Sequence, residues 1–338
     1  MTRKRDRRSG SEWPERIALF ALRAIARLPY QVVRRVGELA GDLAWLLARP
    51  RRRVALINLA LCFPHLSEAR RRSIARAHFR CFMRSFFERF IFWFEPVERL
   101  RALVELRGAE HFEPLRGRPV ILLAPHFVGL DAGGMRFQAD TPGASMFANQ
   151  KSRVLTEAMT RGRTRFGHSR ILLRNDGLRP ALRLIREGVP FYFLPDMDLG
   201  GRDAVFVPFF GVPAATVTSV ARLAKATGAV VVPLVTRMTD TGYIAQFHPA
   251  WTDFPGDDLV EATRRMNAFI EERVLEMPEQ YLWTHKRFKT RPSGEPGFYA
   301  RPRRGGGEPD PRPSGAVEGA EGGRVPAAER VVAPTDRR

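Results

Sequence analysis

From residue 119 onward, short apolar runs alternate with longer helical patterns, and this alternation constrains the fold more than any other feature of the chain. The runs PVILLAPH, GVPFYFLPD, GAVVVPLVTRM and YIAQFHPAW have the length and composition of buried strands. Helical patterns follow or separate them at 154–162, 177–187, 216–227 and 258–276. Strands that alternate with helices pack as a sheet covered by helices. The pattern therefore predicts an α/β domain built on a mixed sheet.

The segment before this domain is apolar but is interrupted by arginines at positions 23, 27, 34 and 35. No uncharged stretch reaches the roughly 18 to 20 residues that a membrane-spanning helix needs, and the segment lacks a signal-peptide cleavage site. Pro29 is expected to divide it into two helices. The spacing of Arg23, Arg27 and Arg34 predicts one basic helical face, which suits an anionic membrane surface. An ordinary surface helix of the domain is the alternative.

An aromatic stripe marks the helix that we predict over residues 66–95. Five aromatic residues recur there at intervals of three and four, which is one helical face: Phe79, Phe82, Phe86, Phe90 and Trp93. Packing in the core is the favoured interpretation of this stripe. Because the end of the helix is apolar on all sides, a groove for a hydrocarbon chain is the alternative.

The charge of the chain narrows its possible partners. The 338 residues carry a formal net charge of +20, which fits anionic lipid, nucleic acid or acidic proteins. No zinc-finger spacing or aromatic RNA-binding motif accompanies the charge, so we do not predict a nucleic-acid partner. Cys62 and Cys81 form no disulfide framework or ligand pattern, and no HExxH pair is present. We therefore expect neither a metal site nor a cofactor.

Composition divides the chain into three segments. Residues 1–52 contain the basic arm and the helices expected to associate with a membrane, and residues 53–292 form the globular domain. Residues 293–338 are rich in proline, glycine and arginine, with almost no large apolar side chains. Such a composition predicts a disordered tail.

The stretch VILLAPHFVGLDAGG places a histidine and an acid where the first strand should end. The carboxyl ends of strands carry ligands in α/β sheets, and His126 lies at such an end. A carboxylate five residues later, Asp131, can hold one ring nitrogen while the other accepts a proton. This spacing is common, however, and by itself it fits a structural histidine better than a catalytic one.

A second cluster, LPDMDLGGRDAVFVPFFGVPAAT at 194–216, also follows an apolar strand. It opens with Asp196 and Asp198, which could begin a metal site, although no third ligand is evident. A structural role for either carboxylate, bonding backbone amides or arginines, is an equal alternative. The arginines of RGRTRFGHSR, at 161–170, could bind phosphate or stabilise an oxyanion, or could be solvated surface charges.

Taken in order, these blocks resemble the late acyltransferases of lipid A biosynthesis, of the lauroyl and myristoyl type, in Gram-negative bacteria. The resemblance spans roughly residues 15–292 and is carried by ALINLALCFPHLSEARR, PHFVGLD, LPDMDLGGRDAVFVPFFGVPAAT and PEQYLWTHKRFKTRP. It implies a glycerolipid-acyltransferase-like fold, a mixed sheet covered by helices, and makes residues 53–292 the acyltransferase domain. It also implies N-terminal amphipathic helices associated with the cytoplasmic face of the inner membrane.

The resemblance implies an activity as well. A fatty acyl chain passes from acyl carrier protein to a hydroxyl of an acylated, phosphorylated disaccharide, the lipid A precursor. His126 corresponds to the general base of the family and Asp131 to its acidic partner. Arg163 and Asp196 match other functional positions, with Arg165 as the alternative arginine. We expect the substrate-binding residues to be Arg165, Asp198, Phe209 and Phe210.

This chemistry needs no metal, nucleotide or covalent enzyme intermediate, because a hydroxyl that attacks a thioester needs only a base and an oxyanion donor. Two alternatives stay open at this stage. An acyltransferase of the same mechanism could act on another glycolipid, such as a mannosylated inositol lipid. The chain could instead be a non-catalytic, basic protein that binds membrane surfaces.

Overall fold

A computed structural model of the protein describes residues 12–147, 152–173, 177–200 and 204–300. The chain as far as Tyr299 forms one compact unit. The predicted disordered tail lies outside the described residues from 301 onward. Its first residues, however, belong to the compact unit, because the Tyr299 hydroxyl donates a hydrogen bond to Asn58 Oδ1 at 2.5 Å and accepts one from the Phe288 amide at 3.1 Å. The end of the predicted tail segment that the structure describes, at Tyr299, is therefore bonded to the domain.

Among the described residues, seven strands form the central sheet, and two more form a separate hairpin. Their bounds are β1 Val104–Arg107, β2 Val120–Leu123, β3 Gly143–Phe147, β4 Ser169–Leu173, β5 Phe191–Phe193, β6 Ala204–Phe209, β7 Val212–Val217, β8 Val230–Met238 and β9 Tyr243–Phe247. The sheet order is β1-β9-β8-β2-β5-β3-β4, and β6 pairs with β7. All neighbours in the sheet are parallel except β8 and β9. The predicted mixed sheet is confirmed.

Ten helices accompany these strands in the described part of the chain. They are α1 Trp13–Ala26, α2 Tyr30–Leu47, α3 Arg49–Cys62, α4 Glu68–Phe94, α5 Val97–Leu103, α6 Leu130–Asp140, α7 Arg153–Arg163, α8 Arg179–Arg186, α9 Ser219–Thr227 and α10 Leu259–Glu276. The five helices predicted from residue 66 onward are confirmed as α4, α7, α8, α9 and α10. None of the described helices is long and apolar enough to cross a membrane.

The central sheet is covered on both sides, as its alternating side chains show. Ile121 and Leu123 of β2 face one core, which α8, α9 and α10 share. Val120 and Leu122 face the other core, which includes residues of α1 and α6. Strands buried on both faces read as continuous apolar runs, which explains why β2, β5 and β8 were recognisable in the sequence.

The N-terminal segment divides at Pro29, as predicted, and both halves pack on α4. A side chain at Gly41 would collide with the backbone of α4, so this glycine permits the close contact between α2 and α4. The predicted basic face is wrong, because Arg34 lies on α2 while Arg23 lies on α1. Arg34 pairs instead with Glu38 at 2.9 Å and with Asp240 at 2.8 Å.

The aromatic stripe of α4 divides between the core and the wall of a cavity. Phe79 and Phe90 are buried in the two cores. Phe82 and Trp93 line a cavity that is described below. The helix therefore contributes to the core with part of its face and to a binding space with the rest.

Candidate active site

Two adjacent parallel strands bring His126 and Asp196 together. The last paired residues of β2 and β5 are Leu123 and Phe193. His126 and Asp196 each follow these residues by three positions, so the parallel register carries both side chains to the same edge of the sheet. That edge, at the carboxyl ends of the strands, is where α/β sheets hold ligands.

The contact between these two residues is short and buried. His126 Nδ1 lies 2.7 Å from Asp196 Oδ1, and the His126 backbone amide donates to the same carboxylate at 3.0 Å and 3.2 Å. Burial opposes ionisation of Asp196, but the charge and hydrogen bonds of His126 outweigh it and lower the pKa of Asp196 to about 2. An ionised carboxylate only accepts hydrogen bonds, so Nδ1 carries a proton, and in the neutral form of the ring Nε2 is left to act as a base.

Asp131 has different partners from those expected. It lies in the first turn of α6, and Arg163 Nη2 donates to its Oδ1. Arg89 Nε lies 3.4 Å from Asp131 Oδ2. Burial opposes ionisation of Asp131, but the charges of Arg163 and Arg89 lower its pKa. The predicted pairing of His126 with Asp131 is thus replaced by one with Asp196, because Asp196 shares a sheet edge with His126 while two arginines engage Asp131.

Close packing of α6 on the sheet fixes the position of Asp131. A Cβ atom at Gly133 would overlap Thr236 Oγ1 of β8, so only glycine allows this approach. The negative charge of Asp131 at the start of α6 also interacts favourably with the dipole of that helix.

Arg165 is not placed to bind a substrate. Its guanidinium donates to the backbone carbonyls of Phe92 at 2.9 Å and Glu95 at 2.5 Å. These carbonyls lie at the end of α4, where the last turn of a helix leaves acceptors unpaired. Arg165 therefore caps α4, and Arg163 is the arginine of this block that reaches the candidate site.

Asp198 is also committed to the protein itself. Its carboxylate accepts hydrogen bonds from Thr290 N at 2.6 Å, Thr290 Oγ1 at 2.8 Å and Gly200 N at 3.0 Å. Both oxygens of this buried side chain are engaged, so Asp198 joins its turn to the C-terminal segment, and it does not line the cavity described below. Asp196 and Asp198 have separate sets of partners, and the described residues contain no group of three or more acids, histidines or cysteines placed to hold a metal.

Phe209 and Phe210 belong to the core and not to the binding space. Phe209 is fully buried and packs against Tyr281 and Phe288, with ring centroids 5.6 Å and 6.3 Å away. Phe210 packs against Phe63 at 5.0 Å. These two predicted substrate-binding residues do not line the cavity, because the β6–β7 hairpin turns their rings toward α3 and the C-terminal segment.

The late block PEQYLWTHKRFKTRP contacts the loop after β2 that contains His126. The carbonyl of Gln280 accepts from the Val128 amide at 2.9 Å, and Tyr281 forms an isolated bridge with Phe127. His285 Nε2 accepts from the Asp198 amide at 3.1 Å, and burial lowers the pKa of His285 to about 4. Both motif loops are therefore held by the same C-terminal segment.

A cavity of about 670 Å³ connects the polar groups with an apolar interior. His126, Asp131, Arg163 and Arg89 line it, together with apolar side chains from α4, α6, α7 and β3: Phe82, Trp93, Met135, Met146, Phe147, Leu155 and Met159. A space of this size with a few convergent polar groups is typical of a small-molecule site. The arrangement can hold an extended apolar chain with its polar end at the histidine.

Arg89 is the site residue that sequence reasoning missed. It lies on the same face of α4 as Phe82, Ser85 and Trp93, all of which line the cavity. Their spacing of three, four and four residues was visible in the sequence, and a single arginine on an otherwise apolar stripe was the signal.

The model of the bacterial lipid A biosynthesis acyltransferases matches residues 1–290 of the chain. The chain belongs to that family. It is 33% identical to the lipid A biosynthesis lauroyltransferase of Escherichia coli (strain K12) over 292 residues, which is 85% of this chain and 95% of that protein. It is 35% identical to the myristoyltransferase of the same organism over 303 residues, 86% and 91% of the two chains.

The chain is similar to other proteins as well. The lipid A biosynthesis palmitoleoyltransferase of Escherichia coli (strain K12) is 30% identical over 292 residues, 85% of this chain and 94% of that protein. Among solved structures, the 1-acyl-sn-glycerophosphate acyltransferase of Thermotoga maritima covers 71% of this chain and 97% of its own, at 16% identity and a TM-score of 0.36. The resemblance seen in the sequence blocks is confirmed, and the chain is an acyltransferase of the lipid A biosynthesis family.

Proposed function

We propose that this acyltransferase moves a fatty acyl chain from acyl carrier protein to a hydroxyl of a lipid A precursor, with His126 as general base. The observation that carries the mechanism is the contact of His126 Nδ1 with buried Asp196 at 2.7 Å, in the wall of an apolar cavity. Asp196 fixes the tautomer, so Nε2 takes the proton of the acceptor hydroxyl as its oxygen attacks the thioester carbon.

The remaining steps use groups in the same cavity. Negative charge develops on the thioester oxygen in the tetrahedral intermediate, and a cation beside it lowers the barrier. Arg163, held by Asp131, is the group we assign to this charge, and Arg89 is the second cation within reach of the same carboxylate. Collapse of the intermediate breaks the carbon–sulfur bond, and the departing thiolate takes the proton from His126. No covalent enzyme intermediate forms.

The acceptor follows from family membership together with the arginines. The relatives are named for acyl transfer in lipid A biosynthesis, and a phosphorylated sugar acceptor suits a cavity whose polar end carries Arg89 and Arg163. The apolar part of the cavity, beneath Phe82 and Trp93, accommodates the acyl chain.

The first test is acyl transfer by the purified protein. With acyl carrier protein thioester and a tetra-acylated lipid A precursor, we expect a penta-acylated product, measured by mass spectrometry. A mannosylated inositol lipid in a parallel reaction separates this acceptor from the rival one. Transfer to the inositol lipid alone, or to neither lipid, would contradict the proposed acceptor.

We further propose that α1 and α2 rest on the surface of the inner membrane at its cytoplasmic face. Trp13, Ile17 and Phe20 form one face of α1 and are 63%, 57% and 73% exposed. Leu39, Leu43, Leu46 and Leu47 form a similar exposed face on α2. Exposed apolar faces of this extent mark a membrane or protein contact, and the exposed arginines at 27 and 35 suit anionic lipid.

Vesicle binding tests this second proposal. The triple variant Phe20→Glu, Leu43→Glu and Leu47→Glu is expected to weaken binding to anionic phospholipid vesicles at least about tenfold, since each apolar side chain contributes about 1.5 to 3 kcal/mol when buried. The matched control changes three other exposed apolar residues, Phe206→Glu, Val260→Glu and Leu275→Glu. Equal sedimentation of both variants with vesicles would refute the assignment of the surface.

A further inference from the structure

Two neighbouring helices, α8 and α9, begin at the open side of the cavity. Gly177 and Leu199 are exposed and line the cavity, so it opens to solvent beside them. Leu178, directly before α8, and Ser219, the first residue of α9, also line it. The two helices pack together through a shared core, and Arg186 of α8 donates to the Ala226 carbonyl of α9 at 2.8 Å.

The outer sides of these helices carry a cluster of cations, which we call the α8–α9 surface: Arg179, Arg183, Arg186, Arg222 and Lys225. All five residues are exposed. The arginines of α8 are four and three positions apart, and the cations of α9 are three apart, so each set shares one helical face. The one acid in 177–189 and 218–229 is Glu187, which lies 3.6 Å from Arg183. Within these two segments, five formal charges are therefore positive and one is negative.

The surface differs from the one proposed to bind the membrane. The exposed large apolar residues of the described chain include none in α8 or α9, whereas a helix that lies in a membrane interface needs an apolar face. The inner residues of α8 and α9 pack on one side of the sheet, and those of α1 pack on the other. The apolar face of α1 and the α8–α9 surface therefore lie on opposite sides of the sheet, while the end of α2 packs on the same side as α8 and α9 through Ala44 and Trp45.

Charge and position together indicate the kind of partner. The cations of α8 extend over about 10 Å from the edge of the cavity, given the rise of an α-helix. A protein with an acidic face, held there by complementary charge, could direct a tethered thioester into the cavity. We propose that the α8–α9 surface docks the acidic carrier protein that delivers the acyl group. This inference rests on the proposed function, because it assumes that the donor is bound to a carrier protein.

The test compares a carrier-bound donor with a small one. The variant Arg179→Glu, Arg183→Glu and Lys225→Glu reverses three exposed charges and leaves Arg186 bonded to α9. We expect KM for the acyl carrier protein thioester to rise on the order of tenfold, because three attractive charge pairs with an acidic carrier become repulsive. Turnover of the matching acyl-pantetheine thioester should be unchanged. In the wild type, activity with the carrier thioester should also fall as salt is raised, and in the variant it should not.

A control variant carries the same change in net charge elsewhere. Arg72→Glu, Arg107→Glu and Arg264→Glu alter exposed cations on α4, β1 and α10, and should leave KM for both donors unchanged. Thermal unfolding of the three proteins verifies that each is folded. An unchanged KM in the α8–α9 variant, or an equal loss with both donors, overturns the inference.

Binding of acyl-free carrier protein separates this inference from the proposed function. The wild type should bind it and the α8–α9 variant should not. Wild-type protein that binds the carrier but transfers no acyl group contradicts the proposed function alone. If the α8–α9 variant transfers the acyl group from the carrier thioester as efficiently as the wild type does, only the docking surface is contradicted.

Discussion

Replacement of His126 by alanine is expected to lower kcat for acyl transfer at least about a hundredfold, the usual contribution of a general base. His126 is the group at the end of β2 whose Nε2 is free to accept a proton, because Nδ1 is engaged by Asp196 at 2.7 Å. Its removal leaves the acceptor hydroxyl without a base in an apolar cavity. The loss should appear in kcat, while KM for the acyl donor changes little, because the apolar wall of the cavity is intact.

A second histidine provides the matched control for this variant. His65 is exposed and lies outside the cavity, so His65→Ala should retain wild-type turnover. Thermal unfolding of His126→Ala establishes that the loss is chemical and not a failure to fold. Near-normal turnover by the folded His126→Ala protein would remove the histidine from the mechanism.

Asp196→Asn is the variant with the second large expected effect, a loss of kcat on the order of 10²- to 10⁴-fold. The amide keeps the size of the side chain but no longer stabilises the imidazolium that forms when His126 accepts a proton. It also no longer requires a proton on Nδ1, so the ring can present the wrong tautomer to the substrate. The measurement is steady-state turnover with saturating donor and acceptor.

Asp131→Asn is the informative comparison, because Asp131 engages Arg163 and Arg89 and not the histidine. We expect its loss of kcat to be no larger than that of Asp196→Asn, with an added rise in KM as the two arginines lose their shared carboxylate. A larger loss of kcat for Asp131→Asn, with Asp196→Asn nearly normal, would return the histidine partner to the position expected from the sequence.

Acid stability gives a readout of Asp196 that is independent of turnover. Its pKa is depressed from 3.8 to about 2 in the folded protein. Because the pKa of Asp196 is lower in the folded state than in the unfolded state, its ionisation stabilises the folded protein when the pH is above the pKa of the unfolded state. That stabilisation disappears as the pH falls through the pKa of the folded state. The wild type should therefore lose about 2 kcal/mol of unfolding free energy relative to Asp196→Asn between about pH 4 and pH 2. A difference that stays constant over this range contradicts an ionised Asp196 paired with His126.

Long apolar runs made most strands of the sheet predictable, whereas strands that are short or of mixed composition were not predicted. The strands β2, β5, β8 and β9 are apolar enough to stand out between helices. The hairpin of β6 and β7 was not predicted, because it lies within the block 194–216, which we interpreted as part of a functional site. Strand β3 was missed because it contains Gly143 and Ser145 in place of branched residues. The helix α6 was missed because its glycines, which let it approach the sheet, read as a loop.

The candidate site was also predictable only in part, because motifs identify loops but do not give the register of the strands that precede them. The motifs identified the loops that meet, and family resemblance identified the reaction class. The choice of Asp196 over Asp131 as the partner of His126 depends on the register of β2 against β5, which pairs Leu123 with Phe193. The inward orientation of Arg163 and the capping role of Arg165 depend on where α4 ends. Neither fact is encoded in the spacing of residues within one motif.

The most direct measurement of the central claim is the mass of lipid A from cells that lack this protein. Cells without it should make lipid A that is lighter by one acyl chain, and the wild-type gene should restore that chain. The gene that encodes His126→Ala, expressed to the same level, should not restore it. Lipid A of unchanged mass in the deletion strain, or full restoration by His126→Ala, would contradict this account.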